Sequence, residues 1–373
     1  MTALIAWLVD DDEFILRALQ RMLKRLCPKW EIRLFNDAAL MLQALEHQPK
    51  PNLVICDRVM PDYSGEEVLT QVRYLAPEAV RALLTADTSA DIVIEDLADI
   101  HHFLAKPFTE SDVALVFSCA EQLAALPLTT QVRQELGHLS QLPILPAIFK
   151  QLQLLLKQEQ TTSQQLALLL AQDAVLAGKV LQLANSPFMG FSRKTTSLEE
   201  AVIRLGFSLI ESIAVSLYCE QELHRQLDSE LHQHISLQNY HWAGCARQLA
   251  QYCNLPIKIQ DLAFMAALFS GLGQLALAAQ GRDRRLLATE HQWQQPQTDA
   301  VLLSVYLLTL WGFDPILSKT LLQIPTSTTS TDDIMLTAQL LHYSQLFITD
   351  SAQAIELPTT LAGGWLLLKQ AQS

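Results

Sequence analysis

Three carboxylates stand directly after short apolar runs early in the chain, where a nucleophile or a cation site could form. Val54-Ile55-Cys56 ends on Asp57, ahead of Arg58-Val59-Met60-Pro61, and the apolar run at 4–9 ends on Asp10 and Asp11. A buried-type strand that hands a carboxylate to a loop places it at a sheet edge, where ligands of open α/β sheets bind. Carboxylates gathered at neighbouring strand ends repel one another unless a hard divalent cation holds them, and such a set suits Mg2+. Thr85 follows Ala82-Leu83-Leu84, and Lys106-Pro107 follows Phe103-Leu104-Ala105. Singly, a Thr or Asp after a strand reads as a cap and a Lys as a solvated charge. Together they converge on one rim, and coincidence is the weaker explanation.

Such a rim requires a scaffold that brings strand ends together. Residues 1–125 alternate apolar runs of five or six residues with stretches of helical period, which predicts βα units and a parallel sheet. Strands are expected at 4–9, 32–35, 53–56, 79–84 and 102–105. Asp37, Ser64, Thr88 and Thr109 stand at N-cap positions. The pattern Phe14-x-x-Arg17-Ala18-x-x-Arg21-Met22-Leu23 predicts a first helix with one apolar and one basic face. Five strands and five helices in strict alternation make one doubly wound α/β domain.

Residues 126–138, opening on Leu126-Pro127-Leu128-Thr129-Thr130, are expected to be a linker that could carry a connecting helix. From 139 to 373 the period is helical almost throughout. Leu142-Pro143-Ile144-Leu145-Pro146 predicts an extended turn at the start. Helices are expected near 147–158, 162–171, 174–185, 208–223, 229–253, 258–279, 298–311 and 331–349, with a loop at 326–331. Ser197-Leu198-Glu199-Glu200 has the pattern of a capping box, and Gly206 ends the helix it begins. The result is an all-α domain with one large core.

Composition bounds the function. The 373 residues are 50% hydrophobic and 17% charged, which excludes disorder. Residues 1–125 carry 20 acidic and 11 basic side chains, and 126–373 carry 19 and 15. No part is basic, so direct nucleic-acid binding has no electrostatic support. The six cysteines show no Cys-x-x-Cys spacing and suit reduced, buried thiols in a cytoplasmic protein. Met1-Thr2-Ala3 leads straight into a strand, against a signal peptide. Only 262–279 approaches membrane length, and Ser270, Gly271, Gly273 and Gln274 interrupt it, so a buried core helix is expected there.

Val9-Asp10-Asp11, Asp57 with Met60-Pro61 and Gly65, Thr85-Ala86 and Lys106-Pro107-Phe108 resemble, in order and spacing, the receiver domain of two-component response regulators. The resemblance covers nearly all of 1–125. It implies that Asp57 attacks a phosphohistidine on a partner and becomes an aspartyl phosphate. It implies Mg2+ held directly by Asp11 and Asp57, through water by Asp10, and by the backbone carbonyl of Val59. Lys106, before a cis Pro107, would pair with a phosphoryl oxygen. Thr85 would close onto the phosphate and free space for Phe103, coupling charge to a two-state surface. Asp62 departs from the glycine common at its position, which bears on loop shape.

The ten histidines invite a metal hypothesis for the helical part, but no His-Asp dipeptide occurs anywhere in the chain. A helical metal-dependent phosphohydrolase needs such a pair with further ligands. Leu142-Pro143-x-Leu145-Pro146, Gln172-Asp173-x-x-Leu176-x-x-Lys179-Val180-Leu181-x-Leu183-Ala184-Asn185-Ser186 and Ser197-Leu198-x-x-Ala201-Val202-x-x-Leu205-Gly206 resemble the HDOD domain, a relative of the HD phosphohydrolases that has lost the catalytic motif. Ser270-Gly271 stands where active relatives carry the His-Asp pair, and His241 matches an upstream ligand position. Trp311-Gly312-Phe313 fits the family's later helical hairpin. Asn185 and Ser186 are expected to terminate a helix. Phe188, Met189 and Phe191 with Arg193 and Lys194 could form a contact surface or pack inward, and Asp173 and Arg204 could form an ion pair.

The expected protein is a response regulator: an α/β receiver at 1–125, a linker at 126–138 and an all-α HDOD output domain at 139–373 that binds protein partners without catalysis. Its phosphodonor would be a sensor histidine kinase or a phosphotransfer protein. A homodimer is compatible with this reading. The alternatives are a residual cyclic-dinucleotide phosphodiesterase and a nucleotide-binding sensor.

Overall fold

The computed structural model describes residues 3–85, 99–139, 161–172, 174–186, 193–224, 229–279, 299–324, 332–348 and 358–372, with the single positions 152, 155, 189 and 191. Two compact units divide the chain: Met1–Ile144 with Tyr306–Asp314, and Leu145–Val305 with Pro315–Ser373.

The first unit is built on a five-stranded parallel sheet of order β2-β1-β3-β4-β5. The strands are β1 (Ile5–Val9), β2 (Glu31–Phe35), β3 (Leu53–Asp57), β4 (Val80–Thr85) and β5 (His102–Ala105). Their carboxyl ends are level: Val9 pairs with Phe35 and Cys56, Asp57 with Leu84, and Thr85 with Ala105. The strand order reverses between β1 and β3, so Asp10, Asp11 and Asp57 flank the crevice that such a reversal opens.

Parallel strands are buried on both faces, which is why these read as apolar runs. One face buries Trp7, Val9, Val54, Cys56 and Leu83 against α2 (Ala38–His47) and α3 (Gly65–Leu75). Ala6, Leu8, Leu53 and Ile55, which alternate with these, are also fully buried. Helix α1 (Glu13–Leu26) corrects the expected face: it buries Leu16, Leu19 and Leu23, whereas Phe14 is 83% exposed and Ala18 is exposed. Phe14 precedes Leu16 by two residues, about 200° around a helix, and therefore falls on the opposite side.

Capping explains where these helices start. Asp37 accepts from the N–H groups of Ala39 and Leu40, while Ser64 with Glu67 and Thr109 with Asp112 form reciprocal capping boxes at α3 and α4 (Glu110–Ala125). Asp12, which sequence reasoning passed over, caps α1 by accepting from Phe14 N–H at 2.7 Å. Thr88 and the helix expected between β4 and β5 lie outside the described residues. The expected join carries α5 (Thr130–Gly137), whose Arg133 donates to the carbonyls of Leu123, Ala124 and Leu126 at the end of α4. A guanidinium there adds donors at a helix end, where carbonyls run short of intrahelical partners.

The second unit is helical among the described residues: α6 (Ser163–Leu170), α7 (Ala174–Ala184), α8 (Leu198–Leu205), α9 (Phe207–His224), α10 (Ser229–Tyr252), α11 (Ile257–Ala279), α12 (Asp299–Leu310), α13 (Pro315–Leu322), α14 (Asp333–Ile348) and α15 (Thr359–Gln372). Helix α12 runs on into the segment grouped with the first unit. Helices α13 and α15 were not anticipated. The turn expected at 142–146 and the loop at 326–331 lie outside the described residues, as does nearly all of the helix expected at 147–158. Ser197 accepts from Glu200 N–H and Gly206 ends α8 at φ 78°. The capping box is only half formed, because the Glu200 carboxylate accepts instead from Thr195 Oγ1 and Arg204.

Helix α11 runs through the core, with 78% of its most apolar window buried inside the protein. Its small residues let neighbours approach closely. A Cβ on Gly273 would lie 1.7 Å from the Ala300 carbonyl oxygen. Ser304 Oγ accepts from Gly273 N–H at 2.9 Å and donates to the Ser270 carbonyl at 3.1 Å, which staples α12 to α11. None of the six cysteines is in a disulfide, and four of them are buried.

Candidate functional site

The level carboxyl edge of the sheet gathers the predicted side chains. Asp10 and Asp57 are 1% and 8% exposed, and Thr85 is 5% exposed, although Asp11 lies open. One oxygen from each of Asp10, Asp11 and Asp57 lies within 4.8 Å of the others. Lys106 reaches across from the end of β5 to Asp57 Oδ1 at 2.5 Å and Asp10 Oδ2 at 3.0 Å. One ammonium faces three carboxylates, so the cluster retains excess negative charge that a divalent cation would balance. An all-oxygen donor set of this size fits Mg2+.

Local geometry fixes each group. Asp10 Oδ1 accepts from Asp12 N–H at 2.9 Å, and Asp57 Oδ2 accepts from Val59 N–H at 3.2 Å. Burial raises the pKa of Asp10, an effect that the Asp12 N–H and Lys106 oppose. For Lys106, burial pulls the pKa down, but the hydrogen bonds to Asp57 and Asp10 outweigh it and the net shift is upward. The ammonium therefore stays charged at neutral pH. Gly65 shows why α3 begins without a side chain: a Cβ there would lie 2.3 Å from the Asp57 carbonyl oxygen and 2.6 Å from Leu83 Cδ1. Its N–H donates to the Arg58 carbonyl at 2.9 Å, closing the loop that carries Val59.

Thr85 ends β4, and its carbonyl accepts from Lys106 N–H at 2.7 Å. Phe103, paired with Leu83, packs partly buried against the sheet core. The Lys106–Pro107 peptide is cis. The expected residues thus lie on one edge or on the strands that end there. Sequence reasoning missed the Arg58–Glu66 ion pair at 2.8 Å on the same loop. Opposite charges eight residues apart gave no signal until the turn into α3 brought them together.

The groups singled out in the helical unit do not form a comparable cluster among the described residues. Ser270 and Gly271 are buried in α11, and His241 lies exposed on α10. A Cβ on Gly271 would lie 1.9 Å from Asn239 Nδ2, so the Asn239 carboxamide occupies the space beside that glycine. Asn185 does more than end a helix: its side chain donates to the Thr195 carbonyl at 2.8 Å and accepts from Thr195 N–H at 2.7 Å. Arg204 pairs with Glu200 at 2.5 Å, its i,i−4 neighbour, while Asp173 lies outside the described residues. Met189 is buried at 4% exposure, Phe191 is 40% exposed beneath the Arg204 guanidinium, and Phe188 is outside the described residues.

A doubly wound parallel sheet with three acids, a threonine and a lysine at its carboxyl edge defines the receiver class of α/β domain. A family model described as the response regulator receiver domain matches residues 6–117, and one described as the HDOD domain matches 142–322. The chain carries an N-terminal receiver domain and a C-terminal HDOD domain. It is 33% identical over 109 residues to the protein named Probable transcriptional regulatory protein TcrX of Mycobacterium tuberculosis, across 29% of this chain and 46% of that protein. The chain spans less than half the length of the curated relatives it matches. The solved signal receiver domain of an HD domain-containing protein from Pseudomonas fluorescens Pf-5 is 27% identical over 33% of this chain and 98% of that chain, with a TM-score of 0.30. An HDOD domain protein of unknown function from Geobacter sulfurreducens is 17% identical over 65% of this chain and 87% of that chain, with a TM-score of 0.46.

Proposed function

We propose that Asp57 accepts a phosphoryl group from a histidine kinase or phosphotransfer protein and thereby switches a non-catalytic HDOD domain that binds protein partners. The observation that carries this reading is the convergence of Asp10, Asp11, Asp57 and Lys106 on one edge. A carboxylate oxygen of Asp57 attacks phosphorus, an acyl phosphate bond forms, and the donor's P–N bond breaks with the electron pair leaving on imidazole. Lys106 exchanges part of its contact with Asp57 for a phosphoryl oxygen, and the Thr85 hydroxyl donates to another. Asp11, Asp57 and the Val59 carbonyl are the residues to hold Mg2+, with Asp10 acting through water. The cation supplies charge neutralisation for a transfer that depends on positioning and electrostatics.

The helical part is read as binding because Ser270-Gly271 offers no ligand pair and Asn239 fills the adjacent space. Thiols outside any disulfide suit a cytoplasmic setting. Incubation with radiolabelled acetyl phosphate and Mg2+ should label wild type and leave Asp57→Asn unlabelled. Equal labelling of both would sink the phosphoacceptor assignment. Hydrolysis of a cyclic dinucleotide by purified protein with Mn2+ would sink the non-catalytic one.

A further inference from the structure

The loop between Asp57 and α3 carries an ion pair that the rim chemistry leaves unused. Arg58 Nε donates to Glu66 Oε1 at 2.8 Å, and the two side chains are only 29% and 17% exposed. Charges withdrawn this far from water attract more strongly than a fully solvated pair. Arg58 directly follows Asp57, whereas Glu66 stands in the first turn of α3, where a helix favours an acidic side chain. The pair therefore links the two ends of the loop.

Backbone ties complete a frame around Val59. Arg58 N–H donates to the Leu84 carbonyl at 2.9 Å, which fastens the loop to β4, and Gly65 N–H donates to the Arg58 carbonyl at 2.9 Å. Val59 and Ser64 form an antiparallel bridge across the loop. Inside this frame Val59 N–H reaches Asp57 Oδ2 at 3.2 Å, so the Val59 backbone lies against a carboxylate of the rim. The Val59 side chain is 77% exposed, so its own packing does little to hold it there. Its place depends on the ties of the loop.

We propose that Arg58 and Glu66 are positioning residues for the cation: their ion pair sets the loop so that the Val59 carbonyl is presented to Mg2+ at the rim. This rests on the Mg2+ site in the proposed function above. Electrostatics alone predicts a different pattern. Removing a cation near a cation site tightens Mg2+ binding, and removing an anion loosens it. Positioning predicts that either removal loosens it.

Calorimetric titration of the full-length protein with Mg2+ separates the two. Arg58→Ala and Glu66→Ala should each weaken binding about 10-fold, a usual loss for an outer-shell partner, and the double variant should be no weaker than the poorer single one. Glu66→Gln, which keeps an oxygen acceptor for Arg58 Nε, should bind more tightly than Glu66→Ala. Acetyl phosphate labelling should need more Mg2+ for half-maximal rate in Arg58→Ala yet reach the wild-type plateau, which general damage to the fold would lower. Unchanged or tighter Mg2+ binding in Arg58→Ala, or additive losses in the double variant, would overturn this inference alone. Wild-type protein that takes up no Mg2+, or uptake unchanged in Asp11→Asn, would overturn the cation site and the inference with it.

Discussion

At the scale of residues, the acidic rim is governed by what Lys106 and Gly65 permit. Lys106 is the cation bridging Asp10 and Asp57. Lys106→Ala removes the ammonium that bridges the two carboxylates and, under the proposed function, a partner for the phosphoryl group. Acetyl phosphate labelling of Asp57 should fall at least about 10-fold, as expected for losing about 1.4 kcal/mol of transition-state stabilisation. Labelling at the wild-type rate would contradict the role given to this ammonium. Gly65→Ala acts by crowding, since its new carbon would meet the Asp57 carbonyl oxygen at 2.3 Å. Overpacking of this kind costs about 1–3 kcal/mol. Urea unfolding should show that loss, with poorer labelling because the loop carrying Asp57 must shift. An unchanged midpoint would show that the loop gives way freely.

At the scale of elements, two buried polar arrangements set the stability of strand and helix contacts. The Arg81 N–H and guanidinium both point at His101, at 3.2 and 2.7 Å from its two ring nitrogens. A neutral imidazole has one acceptor nitrogen and a protonated one has none. Burial first, and Arg81 next, hold the His101 pKa well below its ordinary 6.5. Because the folded pKa lies below the unfolded one, the unfolded chain binds more protons as pH falls through 6.5. Stability contributed by the neutral ring is therefore present above pH 6.5 and is lost below it, with a slope of at most about 1.4 kcal/mol per pH unit. His101→Phe should flatten the acid limb of the stability profile for the sheet unit; an identical limb would exclude His101 as its source. In the helical unit, Ser304→Ala removes the acceptor for Gly273 N–H. A buried donor left without its partner costs about 1–3 kcal/mol, which thermal unfolding should register. No change would mean that Gly273 finds another acceptor.

At the scale of the whole molecule, cation binding to the rim should stabilise one unit of a two-unit chain. A ligand that binds only the folded state at 100 times its Kd adds about 2.7 kcal/mol. Mg2+ should thus raise the unfolding temperature of the sheet unit, and chelation with EDTA should reverse the shift. Asp11→Asn should blunt the response, because the exposed Asp11 carboxylate completes the oxygen set. A Mg2+ response of equal size in the variant would place the cation elsewhere.

The sequence by itself determined what depends on near neighbours. Apolar runs ending on Asp10, Asp57 and Thr85 marked strands whose ends carry the site, and Asp37, Ser64 and Thr109 marked helix starts, because a cap acts within three residues. Which way α1 faces was decided only by the tertiary fold. Spacing alone allowed Phe14 an inward position, but Leu16, Leu19 and Leu23 fill the interface and turn it outward. The same holds for Arg133 on the end of α4, Asn185 on Thr195, Ser304 on Gly273 and Tyr306 on His101. Each joins groups 7 or more residues apart, and such pairs leave no periodic trace in the chain. The strand-end chemistry was legible because the sheet repeats one rule, whereas these contacts exist only once packing brings distant segments together.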